Sequence, residues 1–269
     1  MAELEEIPYH ADNREALIKT TGPGMKLRAA INKIRGISVE TDLGAYWRII
    51  GRIHAFRKEY GLEYLPDNEL ESMALDLARR LKAGLSPENP IPEAFAIGYE
   101  AARRSLGFVP HDVQLVAGLA MCGRKIAELP TGEGKTLAAV FPASLFAMTG
   151  RGVHILTFND YLARRDVAWM GPIYRLLGLS VGFIQEGQAA AAKREAYACD
   201  VTYATAKEAG FDFLRDRLAY EAADLVHRPF HMALLDEADS ILIDEARIPL
   251  VIAGITGKLD RDAGRLSAL

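Results

Sequence analysis

Leu129-Pro130-Thr131-Gly132-Glu133-Gly134-Lys135-Thr136 decides how this chain is read, because it has the make-up of a phosphate-binding loop between a strand and a helix. Residues 125–129 ahead of it are short and apolar enough for a buried strand, and residues 135–148 carry helical apolar density. Gly132 and Gly134 let backbone N–H groups turn inward onto an anion, and the helix N-terminus adds free donors and partial positive charge. Phosphate is the natural guest. Thr131, Gly132, Glu133, Gly134, Lys135 and Thr136 are the candidate binding residues. Lys135 reaches for the β- and γ-phosphates, and the Thr136 hydroxyl suits a magnesium ion bridging them. Leu129 stands where the usual pattern has its first glycine, and an ordinary glycine-containing turn is the competing reading.

A second motif weighs against that alternative. About 100 residues further on, His231-Met232-Ala233-Leu234-Leu235-Asp236-Glu237-Ala238-Asp239 is an apolar strand ending in acids. Open α/β sheets bind ligands at the carboxyl ends of their strands. Asp236 there is the candidate magnesium ligand, and Glu237 the candidate catalytic carboxylate that orients and deprotonates a water, with Lys135 the second catalytic candidate. A solvated strand end is the bland reading of one acid pair, but it does not explain the phosphate loop at domain-scale spacing.

Composition is consistent with an enzyme lobe of this kind. The chain has 269 residues, half of them hydrophobic and a quarter charged, which is ordinary for a folded protein. With 32 Lys+Arg against 36 Asp+Glu the net charge is −4, so there is no broad basic footprint and no specific nucleic-acid partner is expected. Cys122 and Cys199 lie far apart and read as free thiols. His227 and His231 are four apart, but Pro229 between them argues against a shared helix face, and no transition metal is expected. The acidic N-terminus lacks the pattern of a secretory signal. The longest apolar run, residues 137–148, holds Pro142 and Ser144 and is too short to span a bilayer. A cytoplasmic location is the expectation.

Residues 1–21 are polar and without periodicity. Helical patterns follow over residues 25–36, 42–60, 67–84 and 92–107, the second with Leu43, Trp47, Ile50, Ile53 and Phe56 as its apolar positions and His54 as a half-buried packing residue. A short helix over residues 112–122 carries Gln114, whose amide can pair bidentately with the N6 and N7 edge of adenine. A glutamine capping its own helix is the alternative. After the loop helix, strands at residues 153–158, 180–184, 201–204 and 231–235 alternate with helices over residues 159–178, 189–197 and 207–217. That alternation predicts a parallel sheet covered on both faces. The fold class is therefore α/β, a P-loop NTPase sheet of the helicase-like RecA type, preceded by an all-helical segment. The division expected is a flexible terminus over 1–21, helices over 22–107, a nucleotide-binding lobe over 108–254 and a tail over 255–269.

Gln114, Gly132 to Thr136, Asn159-Asp160-Tyr161-Leu162-Ala163, Gly210-Phe211-Asp212-Phe213-Leu214-Arg215-Asp216 and Ser240-Ile241-Leu242-Ile243-Asp244-Glu245-Ala246-Arg247 together resemble the first nucleotide-binding lobe of the SecA-type preprotein translocase motor. The resemblance covers most of the chain from about Leu65 onward. It implies an ATPase using ATP/ADP and Mg2+, with Gln114 reading adenine, residues 132–136 holding the phosphates, and Asp236 and Glu237 serving magnesium and water. It also implies preprotein substrates, a membrane protein-conducting channel as partner, and a peripheral location at the inner face of the cell membrane. Departures from the family pattern fall at Leu129-Pro130, at Ala204-Thr205-Ala206-Lys207, at Ile248 and over residues 1–64, which points to a divergent or accessory paralogue.

The resemblance further implies a second motor lobe and returning strands of the first lobe that these residues do not contain, so the isolated chain is expected to hydrolyse ATP very slowly. Two other readings compete. One is a DEAD-type RNA helicase lobe, since Asp236 to Asp239 spell that motif, although Thr157-Phe158-Asn159-Asp160-Tyr161 stands where those helicases have Pro-Thr-Arg-Glu-Leu. The other is a truncated ATP-binding module without turnover.

Overall fold

The computed structural model describes residues 43–252. The helix expected over residues 25–36, and the termini 1–21 and 255–269, lie outside the described residues. Helices α1 (Gly44–Glu59), α2 (Asp67–Lys82), α3 (Ile91–Leu106), α4 (Asp112–Cys122) and α5 (Lys135–Ala147) come first. The chain then alternates through β1 (Val153–Thr157), α6 (Asp160–Leu176), β2 (Val181–Phe183), α7 (Ala190–Ala198), β3 (Val201–Thr205), α8 (Ala206–Leu218) and β4 (Met232–Leu235).

The four strands form one sheet in the order β2-β3-β1-β4, and every pairing is parallel. Val153 is in register with Val201 on one side and with Met232 on the other. Because side chains alternate across a strand, Val153, Ile155, Val201, Tyr203 and Leu234 point to one face and Leu156 and Ala204 to the other. The first set belongs to a large core shared with α1 through α6, and the second packs with Tyr197 of α7 and Ala209 of α8. Both faces are thus covered, as a parallel sheet requires.

The helical elements bury the faces their spacing dictates. In α2, Leu70, Ala74, Leu77, Ala78 and Leu81 are buried at helical spacing. In α1 the buried residues are Tyr46, Ile50 and Ile53, whereas Leu43 and Trp47, expected on the apolar face, are 38% and 45% exposed. Trp47 lies one residue, about 100° of helix, off the stripe that Tyr46, Ile50 and Ile53 define. Helix α3 is buried from Ile91 to Ala102 at every position but the half-buried Glu93, because it lies between α1, α5 and α6. Its Phe95 stacks on Phe141 of α5 with ring centroids 5.5 Å apart. Glu100, fully buried in the same helix, accepts hydrogen bonds from Arg103 and Arg104 at 2.7–3.0 Å. Burial alone would raise its carboxyl, but those two guanidinium groups outweigh it and hold the pKa below the ordinary carboxylate range.

One expected strand does not form. Residues 125–130 have no regular structure, and Ile126 is 88% exposed. A short apolar run becomes a strand only where a neighbour completes its ladder. Among the described residues β4 is the edge of the sheet, and no strand lies beyond it for residues 125–130 to pair with.

Candidate functional site

Gly134 caps α5 in a left-handed conformation at φ 78, and Gly132 sits at φ 91. Glycine takes these angles without strain, and within the loop the Glu133 N–H donates to the Pro130 carbonyl at 3.3 Å. Thr131, Gly132, Glu133 and Lys135 are exposed, while Thr136 is half-buried. Helix α5 is buried over most of its length, which makes its N-terminus a rigid platform. The chain passes from the end of α5 through a short turn into β1, so the α5 N-terminus lies toward the carboxyl end of β1 and its parallel neighbour β4.

That carboxyl end carries the acids. The Asp236 N–H donates to the Leu156 carbonyl at 2.8 Å, extending the β1–β4 ladder by one residue and anchoring a half-buried Asp236. Glu237 is next, exposed, with φ 54, a left-handed angle costing a non-glycine residue roughly 1–2 kcal/mol. Its N–H donates to Asp236 Oδ1 at 3.1 Å. Beyond the acids lies a π-helical turn, Ser240–Asp244, a rare geometry that recurs at functional sites.

Gln114 is buried, 5% exposed, in the first turn of α4. Its Oε1 accepts from the His111 N–H at 3.0 Å, so it does cap its own helix. Its Nε2 also donates to the Glu133 carbonyl at 3.0 Å, which places it directly against the phosphate loop. His54 is half-buried and edge-on to Tyr99, as expected of a packing residue, and it also lies within 2.8 Å of Asp112 Oδ1, so it ties α1 to the same turn.

Asp166, not singled out in the sequence, is 1% exposed and accepts from Arg165 at 2.7–2.8 Å. Burial raises its pKa, Arg165 opposes this, and the negative charges of Asp236 and Glu237 raise it further. A third carboxylate therefore stands within electrostatic reach of the acid pair. The Asn159 side chain accepts from the Leu162 N–H and starts the helix that carries Asp166, which is the part of this placement that the sequence signals.

Glycine angles that favour an inward-turned loop, an exposed lysine at a helix N-terminus and a half-buried acid at a parallel strand end suit a nucleoside polyphosphate with its magnesium. Among the described residues no cluster of ligating side chains forms a separate metal site.

A parallel sheet with this loop and these acids defines a nucleotide-binding lobe of the helicase-like RecA type. The chain belongs to the SecA DEAD-like domain family, which it matches over residues 31–266, further toward the N-terminus than the motifs alone reached. It is 48% identical over 228 residues to "Protein translocase subunit SecA" of Geobacter sulfurreducens, covering 85% of this chain and 25% of that protein. Identity is 51% over 221 residues to the subunit of the same name from Acidiphilium cryptum, covering 82% of this chain and 24% of that protein. For Thermosynechococcus vestitus it is 51% over 196 residues, 73% and 21% respectively. The chain thus spans about a quarter of the length of these relatives.

Proposed function

We propose that this chain is the ATP-binding part of a protein-export motor, coupling ATP hydrolysis to the movement of unfolded preproteins across a membrane. The observation that carries the reading is the phosphate loop at the buried α5 and the Asp236-Glu237 pair at the end of β4, in a chain about half identical to proteins named as translocase subunits. Residues 131–136 cradle the phosphates, Lys135 neutralises their charge, and Gln114 reads the base. Magnesium, held by Thr136 and Asp236, supplies charge neutralisation for phosphoryl transfer when it is bound. Glu237 holds the attacking water and takes its proton.

The partners of such a motor are unfolded preproteins, a membrane channel and a second motor lobe, with the motor peripheral at the inner face of the cell membrane. No helix among the described residues is long and apolar enough to cross a membrane. Residues 108–254 act as the nucleotide lobe with the preceding helices packed on it. An arginine from across the cleft is worth about 10³ to 10⁵ in the rate of phosphoryl transfer. The isolated chain therefore binds nucleotide and hydrolyses it very slowly.

The test is thermal melting with Mg-ADP. A ligand at about 100 times its dissociation constant adds roughly 2.7 kcal/mol to the folded state. The melting temperature rises in the unaltered chain, and Lys135→Ala removes most of the rise. A rise that survives Lys135→Ala rules out this loop as the site.

A further inference from the structure

We infer that His54 of α1 is a positioning residue for base recognition: it holds the first turn of α4 through Asp112, so that the preference for a nucleotide over bare phosphates depends on it. The proposal rests on the reading of Gln114 as the group that meets the base.

Three helices meet at this point. His54 Nε2 lies 2.8 Å from Asp112 Oδ1, and Arg57, one turn further along α1, places Nη1 3.2 Å from His54 Nδ1. The Arg57 guanidinium lies over the Tyr99 ring of α3, 3.6 Å from its centroid, and His54 meets the same ring edge-on at 5.9 Å. Arginine carries donors and no acceptor. His54 Nδ1 therefore accepts from Arg57, which leaves the ring proton on Nε2, and the Nε2–H donates to Asp112. The bonds run in one direction, from a guanidinium through an imidazole to a carboxylate, and each polarises the next.

Asp112 opens α4, and Gln114 stands two residues further on in the same turn. The Gln114 amide is fixed to that turn, because its Oε1 accepts from the His111 N–H, so it moves as the turn moves. His111 and Val113 on either side of Asp112 are exposed, whereas Asp112 is half-buried and bonded to α1. Bidentate pairing with a base edge needs two bonds in one fixed geometry, and a turn released from α1 gives up that geometry first. The phosphates have a second support in the buried helix α5. Loss of the His54 bond should therefore weaken a nucleotide more than its phosphates alone.

Mg-pyrophosphate carries the phosphates of Mg-ADP without the base. Calorimetric titration with both ligands gives a ratio of affinities for the unaltered 269-residue chain, His54→Phe, His54→Gln and Gln114→Ala. Phenylalanine keeps a ring against Tyr99 and makes neither bond, whereas glutamine has an oxygen to accept from Arg57 and a nitrogen to donate to Asp112. His54→Phe should lower the ratio by about three- to tenfold, the worth of one hydrogen bond, and His54→Gln should restore it. A merely structural role would lower the melting temperature and leave the ratio alone. An unchanged ratio in His54→Phe, or a ratio in His54→Gln as low as in His54→Phe, overturns the proposal. If Gln114→Ala keeps the full ratio, or the unaltered chain binds Mg-ADP no better than Mg-pyrophosphate, the reading of the base is wrong and the role of His54 falls with it. If Gln114→Ala lowers the ratio and His54→Phe does not, the reading of the base stands and the role of His54 alone is overturned. Asp112→Ala removes the other end of the bond and takes the place of His54→Phe should that variant not fold. It should lower the ratio to the same extent, and an unchanged ratio there also overturns the proposal.

Discussion

Lys193 of α7 and Asp212 of α8 form a buried ion pair, with the lysine Nζ 2.8 and 2.9 Å from the two carboxylate oxygens and the residues only 5% and 2% exposed. The pair is the centre of a satisfied network. Lys193 also donates to Glu208 at 3.0 Å, the Tyr197 hydroxyl donates to Asp212 at 3.0 Å, and Arg215 donates to it at 2.6 Å. Two carboxylates and two cations balance within the network, and the two helices that cover the second face of the sheet are joined by it.

Removing the lysine leaves Glu208 and Asp212 buried with Arg215 as the network's remaining cation. Breaking a buried pair by deleting one partner typically costs about 3–5 kcal/mol. Arg215 sits 54% exposed and keeps part of the compensation, so Lys193→Ala should cost about 3 kcal/mol in urea unfolding. A loss below about 1 kcal/mol would mean that the network is solvated in solution.

Gly118 of α4 allows that helix to lie directly on α5. A Cβ at this position would come within 3.1 Å of the Ala138 carbonyl, 3.1 Å of Phe95 Cε1 and 3.4 Å of Phe141 Cβ. The carbonyl is backbone and cannot swing aside. Gly118→Val should destabilise the fold by about 1–3 kcal/mol, the usual cost of overpacking. Because α4 carries Gln114, the same variant should also weaken Mg-ADP binding, measured below its melting transition. Unchanged affinity would show that the α4–α5 contact does not position the site.

Two histidines make stability depend on pH. Burial is the main cause that pushes His154 down from 6.5 to about 4, with His227 and Arg228 adding to it. Burial also lowers His231 to about 4, helped by Arg151, Arg124 and Arg228. The unfolded chain takes up these protons near pH 6.5 and the folded chain does not until about pH 4, so stability rises with pH across that window. The contribution is fully present above about pH 6.5 and is lost as pH falls toward 4. Melting temperature should drop between these values, and His154→Phe should flatten the slope. An unchanged slope in that variant would place the titration elsewhere.

Glu237 is exposed while Asp236 is half-buried and anchored by its backbone bond to Leu156, which accords with the proposal that the first handles water and the second a cation. In a full-length motor built on this sequence, Glu237→Gln should leave nucleotide affinity within about twofold and lower turnover by a factor on the order of 10² or more. Turnover that persists while affinity collapses would reverse the roles of the two acids.

Local chemistry was legible from residues alone. The glycines of the phosphate loop, the acids closing an apolar run, the alternation of strands with helices and the helix ends expected near residues 60, 84 and 107 all act over a few positions, and the fold contains each of them. Gln114 could be singled out by type and spacing. What its amide touches could not, because Glu133 lies 19 residues away and reaches it only after α4 packs on α5.

The same distinction separates the rest. Whether residues 125–130 become a strand depends on a ladder partner beyond β4, and whether Tyr46 or Trp47 faces inward depends on how α1 meets α3. Asp166 gains its place beside the acids from the crossing of α6 over the sheet, and Lys193 finds Asp212 only when α7 and α8 lie together. Apart from residues 125–130, sequence by itself determined the type of each strand and helix from α1 to β4 and the chemistry available at the strand ends, since propensity, glycine angles and hydrophobic period are local properties. Tertiary structure alone decided which groups are desolvated together, because burial, ladder completion and charge pairing join residues far apart in the chain.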